Sequence, residues 1–321
     1  MNPAPDASTR QSNDTGRGGA SRKSESEQVG PRVVPPAHAR GTSGQSRARA
    51  GTVDWRAMDS RSLTIILPAY NEEQRLEPAL DELFGYLRRR ADRGREGAPG
   101  AGHLPPSVHV LVVDDGSTDG TAALVRARPE AGKGAEGDGP TLELLAVSHG
   151  GKGAAVRAGM LAVDTDVVIF TDADLATPAD QIPILYEILH DHDIALGSRI
   201  QPDGRDMRRS QPAYRRFLGR AFHALASVWA VGPVQDTQCG FKGFGREAAH
   251  DLFGRQVITS IVFDVEIIYL ARRRGYRMAI VPIQWSDKRG SRMHPRPVLA
   301  LRVAWDLFRI PLIHRGVRRC H

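Results

Sequence analysis

Cysteine is nearly missing from this chain: its 321 residues include two, Cys239 and Cys320. That excludes the disulfide framework of a small secreted domain, and neither cysteine has ligand-type company at metal-binding spacing. A reducing, cytoplasmic compartment is expected. Long apolar runs are missing too. The longest, FLGRAFHALASVWAV at 217–231, is broken by Arg220 and His223. It falls short of the ~20 apolar residues a spanning helix needs, so no transmembrane helix is expected. No apolar core of ~7–15 residues stands near the start, which argues against a signal peptide. Residues 1–60 have no apolar period and are rich in Ser, Gly, Pro and Arg. Such a stretch cannot bury enough surface to offset ordering and is expected to be a disordered tail.

Acid is the scarcer charge. Lys and Arg number 44 against 37 Asp and Glu, a formal net charge of +7. A basic chain draws phosphate, whether on nucleic acid, anionic lipid or a nucleotide, and charge alone does not choose among them.

What is present, from Arg61 onward, is an alternation. The apolar runs LTIIL (63–67), VHVLVV (108–113), LELLAV (142–147) and DVVIF (166–170) have the continuous hydrophobicity of strands buried on both faces. Helical segments follow them at about 72–90, 118–128, 152–163 and 179–190. This predicts an α/β sheet, mostly parallel, with helices on both faces. The Gly- and Pro-rich stretches 91–107 and 129–140 are expected in surface loops. After DIALGSR (193–199) the alternation stops. An Arg-studded helical segment (208–231), a strand candidate CGFKGF (239–244), a helix (264–274) and a strand (276–285) follow. Near the end, Leu301, Trp305, Phe308 and Leu312 recur at spacings of four, three and four, with Arg302, Asp306 and Arg309 expected on the opposite side. Two readings stay open for this amphipathic helix: it caps the sheet, or its basic end RGVRRC lies on a membrane surface.

Ligands of open α/β sheets bind beyond the carboxyl ends of the strands. Here those ends carry PAYNEE (68–73), DDGSTDGT (114–121) and the DAD of FTDADLATPAD (170–180). Taken singly, each is explained by helix capping through Asn71, Ser117, Glu72 or Asp119. Three polar strand ends facing one crevice favour a ligand. Asp172 and Asp174 pose the sharper question, because two like charges ending a buried strand are costly unless something neutralises them. Mg2+ or Mn2+ would, since these hard cations take carboxylate oxygen and are commonly shared with substrate phosphates. The plain alternative is a pair of carboxylates facing water.

Other phosphate signatures fail. GKGAEG (132–137) follows no strand and opens no helix; in SHGGKGAA (148–155), Gly153 stands where a P-loop needs Ser or Thr. Gly150, Gly151 and Lys152 at a helix start are left to hold a nucleotide or to shape a turn. The arginines Arg199, Arg205, Arg208, Arg209, Arg215, Arg216 and Arg220 read either as a solvated charge run or as a lipid-phosphate site. DKRGSR (287–292), with Arg289 and Arg292, is a second basic cluster placed to close over phosphates.

Taken in order, LPAYNEE, VVDDGSTDGT, HGGKGAAVRAGM, DAD, GSR, DTQCGFK (236–242) and WSDKRGSR resemble the family-2 glycosyltransferases of GT-A fold. Within that family they are most similar to dolichyl-phosphate β-glucosyltransferases and bacterial polyprenyl-phosphate relatives, over about residues 62–292. The resemblance implies a Rossmann-like GT-A domain at 61–295, followed by a C-terminal helix and basic tail at 296–321. It implies nucleotide-sugar contacts at Pro68, Tyr70, Glu72, Asp114, Asp115, Lys152 and Asp172, and a metal ion on Asp172 and Asp174. It implies acceptor-phosphate contacts at Arg199, Arg215, Arg220, Arg289 and Arg292, with Asp236, Asp174 and Arg199 as the catalytic group. The partners implied are a nucleotide sugar and a polyprenyl-phosphate lipid at the cytoplasmic face of a membrane. Nucleic acid is not expected, since a basic binding module would not need three polar strand ends.

Departures from the family pattern shape the expectation. Ala176 stands where phosphomannose synthases carry glutamine, which disfavours GDP-mannose; the same alanine disfavours a phosphatase of D-x-D-x-[TV] type. His149 replaces an asparagine, and the spanning segments of many relatives are missing. The expected reaction is transfer of glucose from UDP-glucose to polyprenyl or dolichyl phosphate with inversion. A GDP-mannose donor or a soluble phosphorylated acceptor is the alternative. Oligomeric state leaves no signal in these residues.

Overall fold

The computed structural model describes residues 61–95, 104–105, 107–132, 139–207, 226–232, 234, 236–286, 288 and 297–318. The expected tail at 1–60, most of the helical segment at 208–231, and Arg215, Arg220, Arg289 and Arg292 lie outside them.

Strands β1 (Leu63–Ala69), β2 (Val108–Asp114), β3 (Thr141–Ala146) and β4 (Val167–Thr171) occupy the four apolar runs. Helices α1 (Glu73–Arg95), α2 (Thr121–Ala127) and α3 (Lys152–Ala162) follow the first three, and a 3-10 turn leads into α4 (Ile182–Ile188) after the fourth. Then come β5 (Ile194–Ser198), a π-helical turn (Ser227–Val231), β6 (Phe241–Gly245), α5 (Arg246–Arg255), α6 (Phe263–Arg274), β7 (Met278–Pro282) and α7 (Pro297–Ile313).

The seven strands form one sheet in the order β3-β2-β1-β4-β6-β5-β7. All pairings are parallel except those of β6, which runs antiparallel to both β4 and β5. Side chains alternate between two cores. Ile65, Leu67, Val110 and Val112 meet Leu80, Leu83 and Phe84 of α1 and Leu185 and Tyr186 of α4 on one face. Ile66, Leu111, Val113 and Phe170 meet Val156 of α3, Phe253 of α5 and Ile268 of α6 on the other. Burial on both faces is why β1, β2 and β4 carry no polar alternation.

Three findings depart from expectation. The helix α5 was not anticipated. Its buried residues Ala248, Ala249, Leu252 and Phe253 do form one helical stripe, but two are small and Gly254 follows them. The last expected strand is shorter: the Ile283 N–H still bonds to the Ser198 carbonyl of β5, but Gln284 and Ser286 turn away to the Gln181 side chain and the Ala176 carbonyl. Asp306, expected on the solvent side of α7, is buried and accepts a hydrogen bond from Ser260 Oγ at 2.7 Å. Among the described residues no helix is long and apolar enough to cross a membrane.

Candidate functional site

The carboxyl ends of β1, β2 and β4 lie side by side, since β1 pairs with both others. Register therefore brings PAYNEE, DDGSTDGT and DAD to one rim. The first two are laced together. Asn71, with φ of 54°, donates its N–H to Ser117 Oγ at 2.9 Å and accepts from the Thr118 N–H at 2.8 Å. The Glu72 N–H bonds to Thr121 Oγ1 at 2.9 Å, and Asp114 Oδ1 accepts from the Ser117 N–H at 3.1 Å. Pro68 sits within β1, and half-exposed Tyr70 stacks on His149 with ring centroids 4.2 Å apart.

Asp115 is buried at the start of this loop. Its two oxygens accept the backbone N–H groups of Gly150 at 2.8 Å and Gly151 at 2.9 Å, and His149 Nδ1 lies 2.9 Å from Oδ2. Asp115 thus orders the HGGK turn from beneath. Gly151 has φ of 95°, and an added Cβ there would press the Thr259 carbonyl. Of the two roles open to this Gly-Gly pair, the geometry supplies the turn, and the turn delivers Lys152 to the first position of α3.

Lys152 Nζ lies 2.5 Å from Asp172 Oδ1. Burial works against its charge, but Asp172, then Asp264 and Asp174, hold its proton affinity above the ordinary lysine range. Asp174 has weaker company. Its Oδ1 accepts from the Ala176 N–H at 3.1 Å, and Arg75 NH1 stands 3.5 Å from Oδ2, while Arg75 is itself forked onto Glu72. Burial, followed by the neighbouring Asp172 charge, pushes the Asp174 carboxyl above its usual range despite Arg75 and Lys152. The pair retains uncompensated negative charge.

That excess, on oxygen donors alone, fits a hard divalent cation. Among the described residues no cluster of three or more His, Cys, Asp or Glu side chains could hold a metal. At this strand end the described residues offer the two carboxylates of Asp172 and Asp174.

On the other side of the aspartates, Arg199 at the end of β5 grips Asp236. The Arg199 backbone N–H and Nε each donate to Oδ2 at 2.8 Å, and NH2 donates to Oδ1 at 2.5 Å. Arg199 also covers the Trp285 ring at 5.5 Å. Burial opposes its charge, yet Asp236 raises its proton affinity further. The Ser286 N–H reaches the Ala176 carbonyl at 2.9 Å, so the WSDK stretch borders the DAD loop.

Several contributors went unnoticed in the sequence. Gly240 approaches the Asp172 carboxylate so closely that any Cβ would overlap it. Lys242, buried in β6, donates to Asp264 Oδ1 at 2.6 Å and to the Cys239 carbonyl at 2.5 Å. Burial pushes Asp264 up, against the pull of Lys242 and Lys152, and pushes the Cys239 thiol to about 12. A lysine inside the apolar CGFKGF was the available signal, because a charge in a buried strand demands a partner. Arg205, by contrast, pairs with Asp203 on the surface. A cavity of about 240 Å³ at the amino ends of the strands, lined by Thr64, His109 and Glu143, contains none of the expected site residues.

The model of glycosyl transferase family 2 matches residues 64–253. A dolichyl-phosphate beta-glucosyltransferase from Trichomonas vaginalis is 35% identical over 260 residues, 79% of this chain and 72% of that protein. Those from Drosophila melanogaster and Homo sapiens are 36% and 31% identical, each over 74% of this chain and 70% and 71% of their own. Among solved structures, glucosyl-3-phosphoglycerate synthase from Mycobacterium tuberculosis, in complex with Mn2+, UDP-glucose and phosphoglyceric acid, superposes with a TM-score of 0.52. It is 18% identical, covering 89% of this chain and 88% of that one, and shares the fold.

Proposed function

The chain belongs to glycosyl transferase family 2, and from that premise we propose that it transfers glucose from UDP-glucose to a polyprenyl or dolichyl phosphate, with inversion, at the cytoplasmic face of a membrane. The observation that carries this reading is the Asp172 and Asp174 pair at the end of β4, whose charge Lys152 and Arg75 only partly offset. The names of the relatives supply donor sugar and acceptor.

Asp172 and Asp174 would hold Mg2+ or Mn2+, which when bound neutralises charge on the departing diphosphate. Tyr70 offers a half-exposed ring for the base, and Pro68 and Glu72 flank it. Asp114 and Asp115 keep the two loops under the nucleotide in shape. Lys152, on the rim between them, is placed for a diphosphate oxygen. An acceptor phosphate monoester has its second pKa near ~6, so its attacking oxygen is already ionised at neutral pH and needs no strong base. That suits Asp236, whose carboxylate is taken up by Arg199: it positions the arginine, and the arginine meets the acceptor phosphate in line with the anomeric carbon. Arg215, Arg220, Arg289 and Arg292 are assigned to the same phosphate on sequence grounds.

The test is incubation of the purified chain with polyprenyl phosphate, labelled UDP-glucose and Mn2+ or Mg2+. Lipid-linked glucose should form, and chelator should stop it. Lack of lipid-linked product with any common nucleotide sugar would overturn the proposal; glucose transfer to phosphoglycerate alone would replace the lipid by a soluble acceptor.

A further inference from the structure

The outer face of α7 is apolar and bare. Leu301, Trp305, Phe308 and Leu312 are 73, 61, 47 and 52% exposed. Two positions further on, Val303, Leu307, Ile310 and His314 repeat the same spacing and face the protein. Two residues of helix turn the direction by about 200°, so these are opposite sides. One apolar face packs α7 onto α6 and the π-helical turn; the other meets Trp229 at Phe308 and is otherwise open among the described residues.

The bare face is organised. Trp229 stacks on Phe308 with centroids 5.2 Å apart and donates its indole N–H to the Phe308 carbonyl at 3.0 Å; Trp305 stacks on Phe308 at 6.2 Å. Trp229 is itself exposed, so the aromatic surface continues beyond the helix. The exposed charges along the described part of the helix and its end have one sign. Between 301 and 318 the exposed ionisable side chains are Arg302, Arg315 and Arg318, while the one acid, Asp306, is buried against Ser260. Aromatic and aliphatic side chains flanked by arginine, with no exposed acid, complement an interface that is apolar within and anionic at its rim. A second copy of this face would set those arginines against their own kind.

We propose that the outer face of α7, with Trp229, is the surface by which this protein docks on an anionic lipid monolayer. The inference rests on the lipid acceptor proposed above, whose phosphate lies at headgroup depth. The inner side of α7 leads toward the site: Asp306 holds Ser260, and the adjacent Thr259 carbonyl accepts the Gly153 N–H at 2.9 Å, at the start of the helix that carries Lys152.

The experiment is co-sedimentation of the full chain with vesicles of phosphatidylcholine alone or with about one third phosphatidylglycerol, for the native protein and for Trp305→Ser/Phe308→Ser/Leu312→Ser. The native chain should bind the anionic vesicles, with tryptophan fluorescence quenched by brominated acyl chains. The triple variant, with an unchanged melting temperature, should bind at least about tenfold more weakly and lose that quenching. Equal binding and quenching by the variant would overturn the proposal, as would a native dimer that the variant abolishes without any change in vesicle binding. Transfer from UDP-glucose to a short, water-soluble prenyl phosphate should be equal in both proteins. Absence of that transfer in both counts against the proposed reaction and leaves the docking result to stand by itself.

Discussion

Gly240 is the tightest constraint on the site at the level of single residues. Thr171 pairs with Phe241, so the residue before β6 faces the residue after β4, and those are Gly240 and Asp172. Gly240→Ala would push the Asp172 carboxylate aside and leave the strands paired. A displacement of roughly 1 Å at a reacting centre costs on the order of a hundredfold, so kcat/KM should fall by about that factor with little change in Tm. Asp174 gives the converse case. Asp174→Asn should lower turnover by at least about a hundredfold. In chelator, however, it should raise thermal stability. The folded state holds the Asp174 proton to higher pH than the unfolded state does, so the contribution of this group to stability falls as pH climbs from the ordinary carboxylate range through the raised value. The melting advantage of the asparagine should therefore vanish in acid, grow through that window and level off above it. An advantage that grew toward acid would contradict the assignment.

At the level of elements, α7 separates what the sequence told from what it withheld. Leu301, Trp305, Phe308 and Leu312 have the spacing of a core stripe, and so do Val303, Leu307, Ile310 and His314. Periodicity identifies an amphipathic helix but cannot say which of two apolar faces meets the protein. Asp306→Ala should thus cost about 1–3 kcal/mol in chemical denaturation, by leaving the Ser260 hydroxyl without its acceptor, whereas Trp305→Ser should stay within about 0.5 kcal/mol. The strands were more legible. β1, β2 and β4 are covered on both sides, so burial wrote itself into LTIIL, VHVLVV and DVVIF. The antiparallel sense of β6 was not legible, because nothing in FKGFG encodes the direction of its neighbours. In the site, Asp172 and Asp174 stood out since their cost is local. The Lys242–Asp264 pair did not, as its partners are 22 residues apart and meet only in the fold.

For the molecule as a whole, the function proposed above divides the site between two supports: loops from β1, β2 and β4 for the nucleotide, and Arg199 with Asp236, at the two ends of the chain between β5 and β6, for the acceptor. Ligand binding to the native state should stabilise it by about 2.7 kcal/mol at a hundredfold excess over Kd, and so raise Tm. A thermal-shift screen should find that rise with UDP-glucose plus Mn2+, and a markedly smaller one with GDP-mannose or with chelator present. Equal shifts for both nucleotides would remove the argument from Ala176.

The direction of β6 has one more effect. Because it runs against β5, the excursion from Arg199 to Gly240 leaves the sheet and returns to it at the same rim, and the bond between Arg199 and Asp236 ties the two ends of the excursion together like a drawstring. A stretch closed at its neck can be exchanged for another without disturbing the strands on either side, so under the proposed function a change of acceptor would fall in these forty or so positions rather than in the loops after β1, β2 and β4.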